Sequence, residues 1–130
     1  MKVLQPPGWP RPKGYSNGVA ARGRLIFTAG VIGWDAEERI VSDTLPGQLE
    51  QVLKNILAIL TADGAGAEHI VRMTWYVTDR DEYAAHLPEI GAAWRAVMGP
   101  VYPPMAVVIV AGLVEPRAKV EIEAIAVVPD

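Results

Sequence analysis

Hydrophobic and polar positions change period several times along the chain, and each change marks an element. Residues 1 to 15, MKVLQPPGWPRPKGY, carry no period and are rich in Pro and Gly, which predicts an extended arm or loop. Residues 16 to 20 and 24 to 32 (RLIFTAGVI) suit two strands joined by a short turn around Arg22 and Gly23, with Gly33, Trp34 and Asp35 ending the second. Arg39 to Val41 suits a short third strand. After Asp43 and Thr44 the spacing becomes helical: Leu49, Val52, Leu53, Ile56, Leu57 and Leu60 fall on one stripe, and Asp63-Gly64-Ala65-Gly66 ends it.

Residues 70 to 78 (IVRMTWYVT) alternate as a strand, with Val71, Met73, Trp75 and Val77 on one face. A second helix is expected over about 81 to 98, where Tyr83, Leu87, Ile90, Trp94, Val97 and Met98 keep helical spacing. Pro88 must kink or restart it, because an interior proline loses a hydrogen bond and clashes with the preceding turn. MAVVIVAGL (105 to 113) is apolar at both parities, and AKVEIEAIAVV (118 to 128) alternates again, placing Val120, Ile122, Ala124 and Ala126 on one face.

The order β-β-(β)-α-β-α-β-β predicts a single α+β domain over residues 1–130, a mixed sheet with both helices on one face. Strand 105–113 has no polar side, so both its faces need cover. Two helices cover one; other copies of the chain are expected to cover the second.

Composition excludes more than it selects. The chain has no cysteine, a net charge of −3 and no block of Lys/Arg, which leaves no thiolate chemistry and no electrostatic footprint for nucleic acid or an anionic membrane. No secretory segment or membrane span is visible, and a soluble, cytoplasmic protein is the expectation. His69 and His86 lie on different elements without metal-ligand spacing, Ser16 and Ser42 lack a nucleophile elbow, and TAGVIG is too poor in glycine for a phosphate loop. Neither a metal nor a cofactor is expected. The remaining chemistry-bearing set is Tyr15, Gly30, Trp34, Tyr102, Met105, Glu121 and Glu123. The two tyrosines suit either a site or the anchoring of Pro-rich loops, and Trp34 suits a site or a covered sheet edge. Glu121 and Glu123 share one strand face about 7 Å apart. Glu123 is expected to pair with Lys119 or Arg117, or to face solvent.

GYSNGV, LIFTAGVIG, HIVRMTWYVTD and above all KVEIEAIAVV resemble the RidA/YjgF family of enamine/imine deaminases, once called endoribonucleases of the L-PSP type. The resemblance covers nearly the whole chain. It implies a chorismate mutase-like fold, a homotrimer whose sheets form a central barrel, and a small-molecule cleft between subunits. It carries a cleft tyrosine onto Tyr15, a substrate-binding glycine onto Gly30 and the water-positioning glutamate onto Glu121, with Val31 beside Gly30 a further candidate contact. Trp34, Tyr102 and Met105 join them as candidate substrate contacts.

One part does not carry over. Where typical members read Pro-Ala-Arg-Ser, this chain reads Pro103-Pro104-Met105-Ala106, and Ala29 and Val31 replace a serine and a glutamine. Losing a guanidinium contact to a substrate carboxylate costs about 2–4 kcal/mol, roughly 30- to 1,000-fold in binding. Weak turnover of ordinary 2-imino acids is therefore expected unless Arg22, Arg95 or Arg117 substitutes. The resemblance implies a hydrolase of a reactive imine, enamine or related metabolite; the alternative is a trimeric binding or regulatory protein using the same cleft without turnover. Ribonuclease activity is disfavoured by the acidic chain and the lack of a basic stripe.

Overall fold

The computed structural model describes residues 1–130. A small two-stranded sheet pairs β1 (Lys2–Leu4) with β2 (Gly18–Ala20). The main sheet runs β3-β7-β5-β6, from β3 (Arg24–Phe27), β7 (Val120–Val128), β5 (Ile70–Val77) and β6 (Met105–Ile109), with β4 (Val31–Ile32) also on β7. Only β5 and β6 run parallel; every other pair is antiparallel. The expected mixed α+β sheet is therefore present.

α1 (Leu45–Thr61) starts where Thr44 Oγ1 accepts the Gly47 N–H at 3.1 Å, one of the orphan donors of a helix start. Its stripe of Leu49, Val52, Leu53, Ile56 and Leu60 is fully buried against the sheet. The second expected helix is two: α2 (Arg80–Ala85) and α3 (Leu87–Met98), with His86 between them and Pro88 in the first turn of α3, where its missing N–H costs nothing. The buried apolar residues of the helices pack with Met73, Trp75, Val77, Val120, Ile122, Ala124 and Ala126 into one core on one side of the sheet.

Five local expectations change. The opening arm is not all loop, because Lys2–Leu4 pairs with β2. β2 consequently does not form a hairpin with β3; Gly23 instead packs so closely on the end of β7 that an added Cβ would meet the Val128 carbonyl. Ile70, rather than Val71, fills the core beside Met73, because a bulge between Ile70 and Arg72 inserts one residue. Arg39 to Val41 supplies only an isolated bridge, Ile40 to Trp34, and residues 110 to 113 leave the sheet.

The opposite face of the sheet carries no layer. Leu25 and Phe27 of β3 and Val108 of β6 stand exposed there, alongside Ile125 of β7. An exposed apolar sheet face of this kind marks an interaction surface.

Candidate functional site

A bulge builds the first of two candidate spaces. β3 follows β7 in strict register to Phe27↔Ile125, yet β4 resumes at Val31↔Ile122, so four steps on one strand match three on the other. Thr28 clamps the irregularity: its N–H donates to the Ala124 carbonyl at 2.9 Å, and its Oγ1 accepts the Ala124 N–H at 2.9 Å. The extra residue reverses the parity, which turns Val31 into the core and Ile32 to the other face beside its partner Glu121. Gly30 is left under the Glu121 side chain. A Cβ at residue 30 would lie 2.3 Å from Glu121 Oε2, so only glycine leaves room for that carboxylate.

Glu121 is half-buried and its carboxylate takes part in no hydrogen bond or ion pair within the chain, unlike the side chains of Lys119 and Glu123. It forms one wall of a cleft of about 250 Å³, with Gly30, Ile32 and Trp34 on one side and Val114 and Glu115 on the other. Trp34 is fixed there by Asn55, which donates to the Ile32 and Trp34 carbonyls at 3.1 and 2.9 Å. Below it, the Asp35 carboxylate accepts the Glu37 and Arg39 N–H groups, and these bonds hold its pKa below the ordinary value.

Glu123 goes elsewhere. Of the two expectations for it, exposure holds and pairing with Lys119 or Arg117 does not, because Lys119 Nζ reaches Glu82 at 2.9 Å and Arg117 reaches Asp43. Register instead places Glu123 diagonally to Tyr76, whose phenol donates to it at 2.7 Å. That bond, then desolvation and the nearby carboxylate charges, pushes the Tyr76 pKa above its ordinary value.

The second candidate space lies around Met105. Parallel pairing with Met73 puts Met105 on the helix side of the sheet, where it packs against the core. It lines a cavity of about 330 Å³ between β5, β6, α2 and α3. Trp75, Trp94 and Tyr102 form a stacked series along one wall, with centroids 5.9 and 6.4 Å apart. Trp94 Nε1 donates to the Val101 carbonyl at 3.0 Å, whereas the buried Trp75 Nε1 has no acceptor. Burial of Tyr83, another wall, raises its phenol above the ordinary value. Arg95 and Lys13 stand at the rim.

The sequence-predicted residues thus fall into two groups. Gly30, Trp34 and Glu121 meet at one cleft, while Tyr102 and Met105 meet at the other. Tyr15 is exposed next to Gly14, a cavity wall, in a loop tied down by Ser16, whose hydroxyl donates to the Tyr102 carbonyl at 2.6 Å. The Val31 side chain is in the core, away from either space. Within one chain Met105 and Glu121 point to opposite faces of the sheet, because Glu121 pairs with Tyr76 and Met105 with Met73. By sequence Trp75 and Trp94 are apolar positions of a strand and a helix, and Arg95 is one of three candidate replacements for the missing guanidinium. The signal that marks them is Gly91, one helical turn before Arg95 on an otherwise apolar helix face.

No group of three or more His, Cys, Asp or Glu side chains is arranged to hold a metal. His69 Nδ1 accepts the Gly66 N–H and His86 Nδ1 donates to the Glu82 carbonyl, so both imidazoles serve local backbone. No helix is long and apolar enough to cross a membrane.

Comparison with known proteins identifies the fold and the family. The family model described as Endoribonuclease L-PSP matches residues 10–128. The structure of a Rid-family protein of unknown function from Yersinia pestis, YyfB, aligns at a TM-score of 0.85 and 31% identity, covering 98% of each chain. A RutC family protein of Synechocystis sp. is 35% identical over 88 residues, 65% of this chain and 67% of its own. The 2-iminobutanoate/2-iminopropanoate deaminase of Salmonella typhimurium is 32% identical over 108 residues, 81% of this chain and 80% of its own.

Proposed function

The chain belongs to the RidA/YjgF family, the endoribonuclease L-PSP group, and on that premise we propose that it hydrolyses a reactive imine or enamine in a cleft closed between two copies of itself. Related proteins carry deaminase names, and the chemistry transfers to this chain through one observation. Glu121 presents a carboxylate that no group of its own chain occupies, seated on the bare backbone of Gly30 at the mouth of a cleft.

A carboxylate so placed accepts a hydrogen bond from water and orients its lone pair toward an electrophilic carbon. Attack on the C=N carbon gives a carbinolamine. Proton transfer to its nitrogen and collapse then release ammonia and leave a carbonyl product. Glu121 takes the water proton and returns it to the leaving nitrogen, so no external oxidant or reductant is required. Trp34 and Ile32 wall the cleft and limit bulk water.

The substrate's remainder needs a larger apolar space, which the Met105 cavity supplies. Since Met105 and Glu121 face opposite sides of one sheet, a site using both draws them from two chains. The exposed apolar sheet face is the surface on which copies join, in the trimer that the family resemblance implies. A second reading, binding without turnover, is favoured by the thioether at residue 105, which cannot hold a carboxylate as a guanidinium does.

The test is ammonia release from 2-iminopropionate generated in situ by an amino-acid oxidase, comparing wild type, Glu121→Gln and Met105→Arg. Acceleration by wild type that Glu121→Gln abolishes supports hydrolysis at this carboxylate. Activity that appears only in Met105→Arg marks a deaminase cleft turned to another substrate, and silence from all three supports binding alone.

A further inference from the structure

Resting on the reading that the Met105 cavity takes the substrate, we infer that Arg95 is the cationic anchor of that cavity and that its ligand is a carboxylate bearing an aromatic or similarly large apolar group. Arg95 sits on α3 one turn after Gly91, and both line the cavity. A Cβ at residue 91 would lie 3.1 Å from Arg95 Nη1, so the guanidinium folds back across the bare backbone of Gly91. Helical side chains lean toward the N-terminus, which is the direction that brings this one across residue 91.

The guanidinium is uncommitted. Arg24 pairs with Asp63, Arg39 with Asp35 and Glu37, and Arg117 with Asp43, whereas Arg95 takes part in no ion pair or side-chain hydrogen bond within the chain. Lys13 brings a second cation to the same cavity, and no acidic residue lines it. Two cations without a counter-anion select an anionic ligand, and a fork of N–H donors selects a carboxylate. Of the three arginines open to this role by sequence, Arg117 is engaged with Asp43 and Arg22 lines no wall of the cavity.

The other walls choose the rest of the ligand. The Trp75–Trp94–Tyr102 series offers flat apolar surface, and the Met105 sulfur is a favourable neighbour for an aromatic ring. An arginine at residue 105 would place charge within this space, whereas one at residue 95 places it at the rim. Moving the cation outward leaves length for a side chain between the carboxylate and the wall. The orphaned Trp75 Nε1–H is a further donor in that wall.

Binding is read apart from turnover, by calorimetry and by the fluorescence of Trp75 and Trp94, using 3-phenylpropionate, its neutral isostere 3-phenylpropionamide, and propionate. The acid is expected to bind wild type about 30-fold more tightly than either the amide or propionate. Arg95→Gln is expected to remove that preference for the acid, leave the amide unchanged and keep the fold, since residue 95 is exposed. Arg95→Lys should recover part of it. Equal affinity of wild type and Arg95→Gln for the acid, or no binding at all, overturns the anchor; equal affinity for propionate and phenylpropionate overturns the aromatic ligand. Arg95-dependent binding without hydrolysis of the corresponding imine sinks the hydrolase reading alone and leaves this inference standing.

Discussion

Two glycines three residues apart should respond in opposite ways to the same substitution. At Gly30 an added methyl carbon would lie 2.3 Å from Oε2 and 2.8 Å from Cδ of Glu121. Ordinary contact needs about 3.5 Å, so the carboxylate must retreat by about 1 Å. It can do so, because the carboxylate is the far end of a flexible side chain with no partner to lose. The rotamer cost of about 0.5–1.5 kcal/mol is offset by about 0.4–1 kcal/mol from the stiffer unfolded chain. Gly30→Ala should therefore change stability by no more than about 1 kcal/mol. A catalytic group misplaced by that distance loses about 100-fold in rate, and this is the loss expected of the imine hydrolysis proposed here.

At Gly33 the new carbon would meet the backbone of α1, 2.7 Å from the Gln48 carbonyl oxygen and 3.0 Å from its Cα. Nothing there rotates away. Gln48 is itself buried and tied to three backbone groups, so β4 and α1 must separate. Overpacking of this kind costs about 1–3 kcal/mol. Urea unfolding at fixed protein concentration, paired with the activity assay, separates the two variants. Equal destabilisation of both, or a Gly30→Ala protein with full activity, would show that the closeness of Gly30 to Glu121 has no functional meaning.

Gln48→Ala removes one side chain that donates to the Ser42 and Arg117 carbonyls and accepts the Lys119 N–H, leaving buried groups unpaired. A loss of about 2–4 kcal/mol is expected in urea unfolding, and a loss below 1 kcal/mol would contradict it. Glu123→Ala should return the Tyr76 phenol toward its ordinary pKa, read by ultraviolet titration. The sign follows from the raised value: protonated Tyr76 stabilises the fold below pH 10.0, and this contribution disappears as pH rises through the elevated pKa. Wild type therefore loses an increment of alkaline stability that Glu123→Ala lacks, and coincident phenol titrations would refute the Tyr76–Glu123 bond as its cause. Phe27→Asp puts a charge on the uncovered sheet face and should lower the mass seen in sedimentation velocity to that of one chain; an unchanged assembly would move the interface elsewhere.

Periodicity made the core legible. The α1 stripe from Leu49 to Leu60 and the β7 face from Val120 to Ala126 are buried as their spacing demands, because helix and strand periods are local properties. The clean break at Pro88 was legible for the same reason, since proline acts on its own turn. What depends on register between distant strands was not. The bulge at residues 28 to 30 reverses the faces of Val31 and Ile32, and the bulge after Ile70 displaces Val71. Both arise from pairing with β7, which lies 96 residues from Thr28 at Ala124 and is outside any short window.

The site divides along the same line. Glu121 and Gly30 were named by motif, but their direct packing comes from the bulge. Tyr76, the partner of Glu123, lies 47 residues away and only the β5–β7 register joins them. Trp75 and Trp94 read as ordinary positions of a strand and a helix, and Arg95 as one of three candidate cations; they become walls of one cavity only when β6 is laid beside β5.

The proposed working cleft takes Glu121 from one chain and the aromatic cavity from its neighbour. It is tested most directly by mixing two inactive variants, Glu121→Gln and Met105→Glu, the second placing a repelling carboxylate in the cavity. Unfolded and refolded together in equal amounts, they form mixed assemblies in which one cleft type receives an intact Glu121 and an intact cavity. Random mixing in a closed ring gives about one quarter of wild-type imine hydrolysis. Every chain in the mixture carries one lesion, so a site built within a single chain predicts none, and a mixture as inactive as its parents would contradict the account.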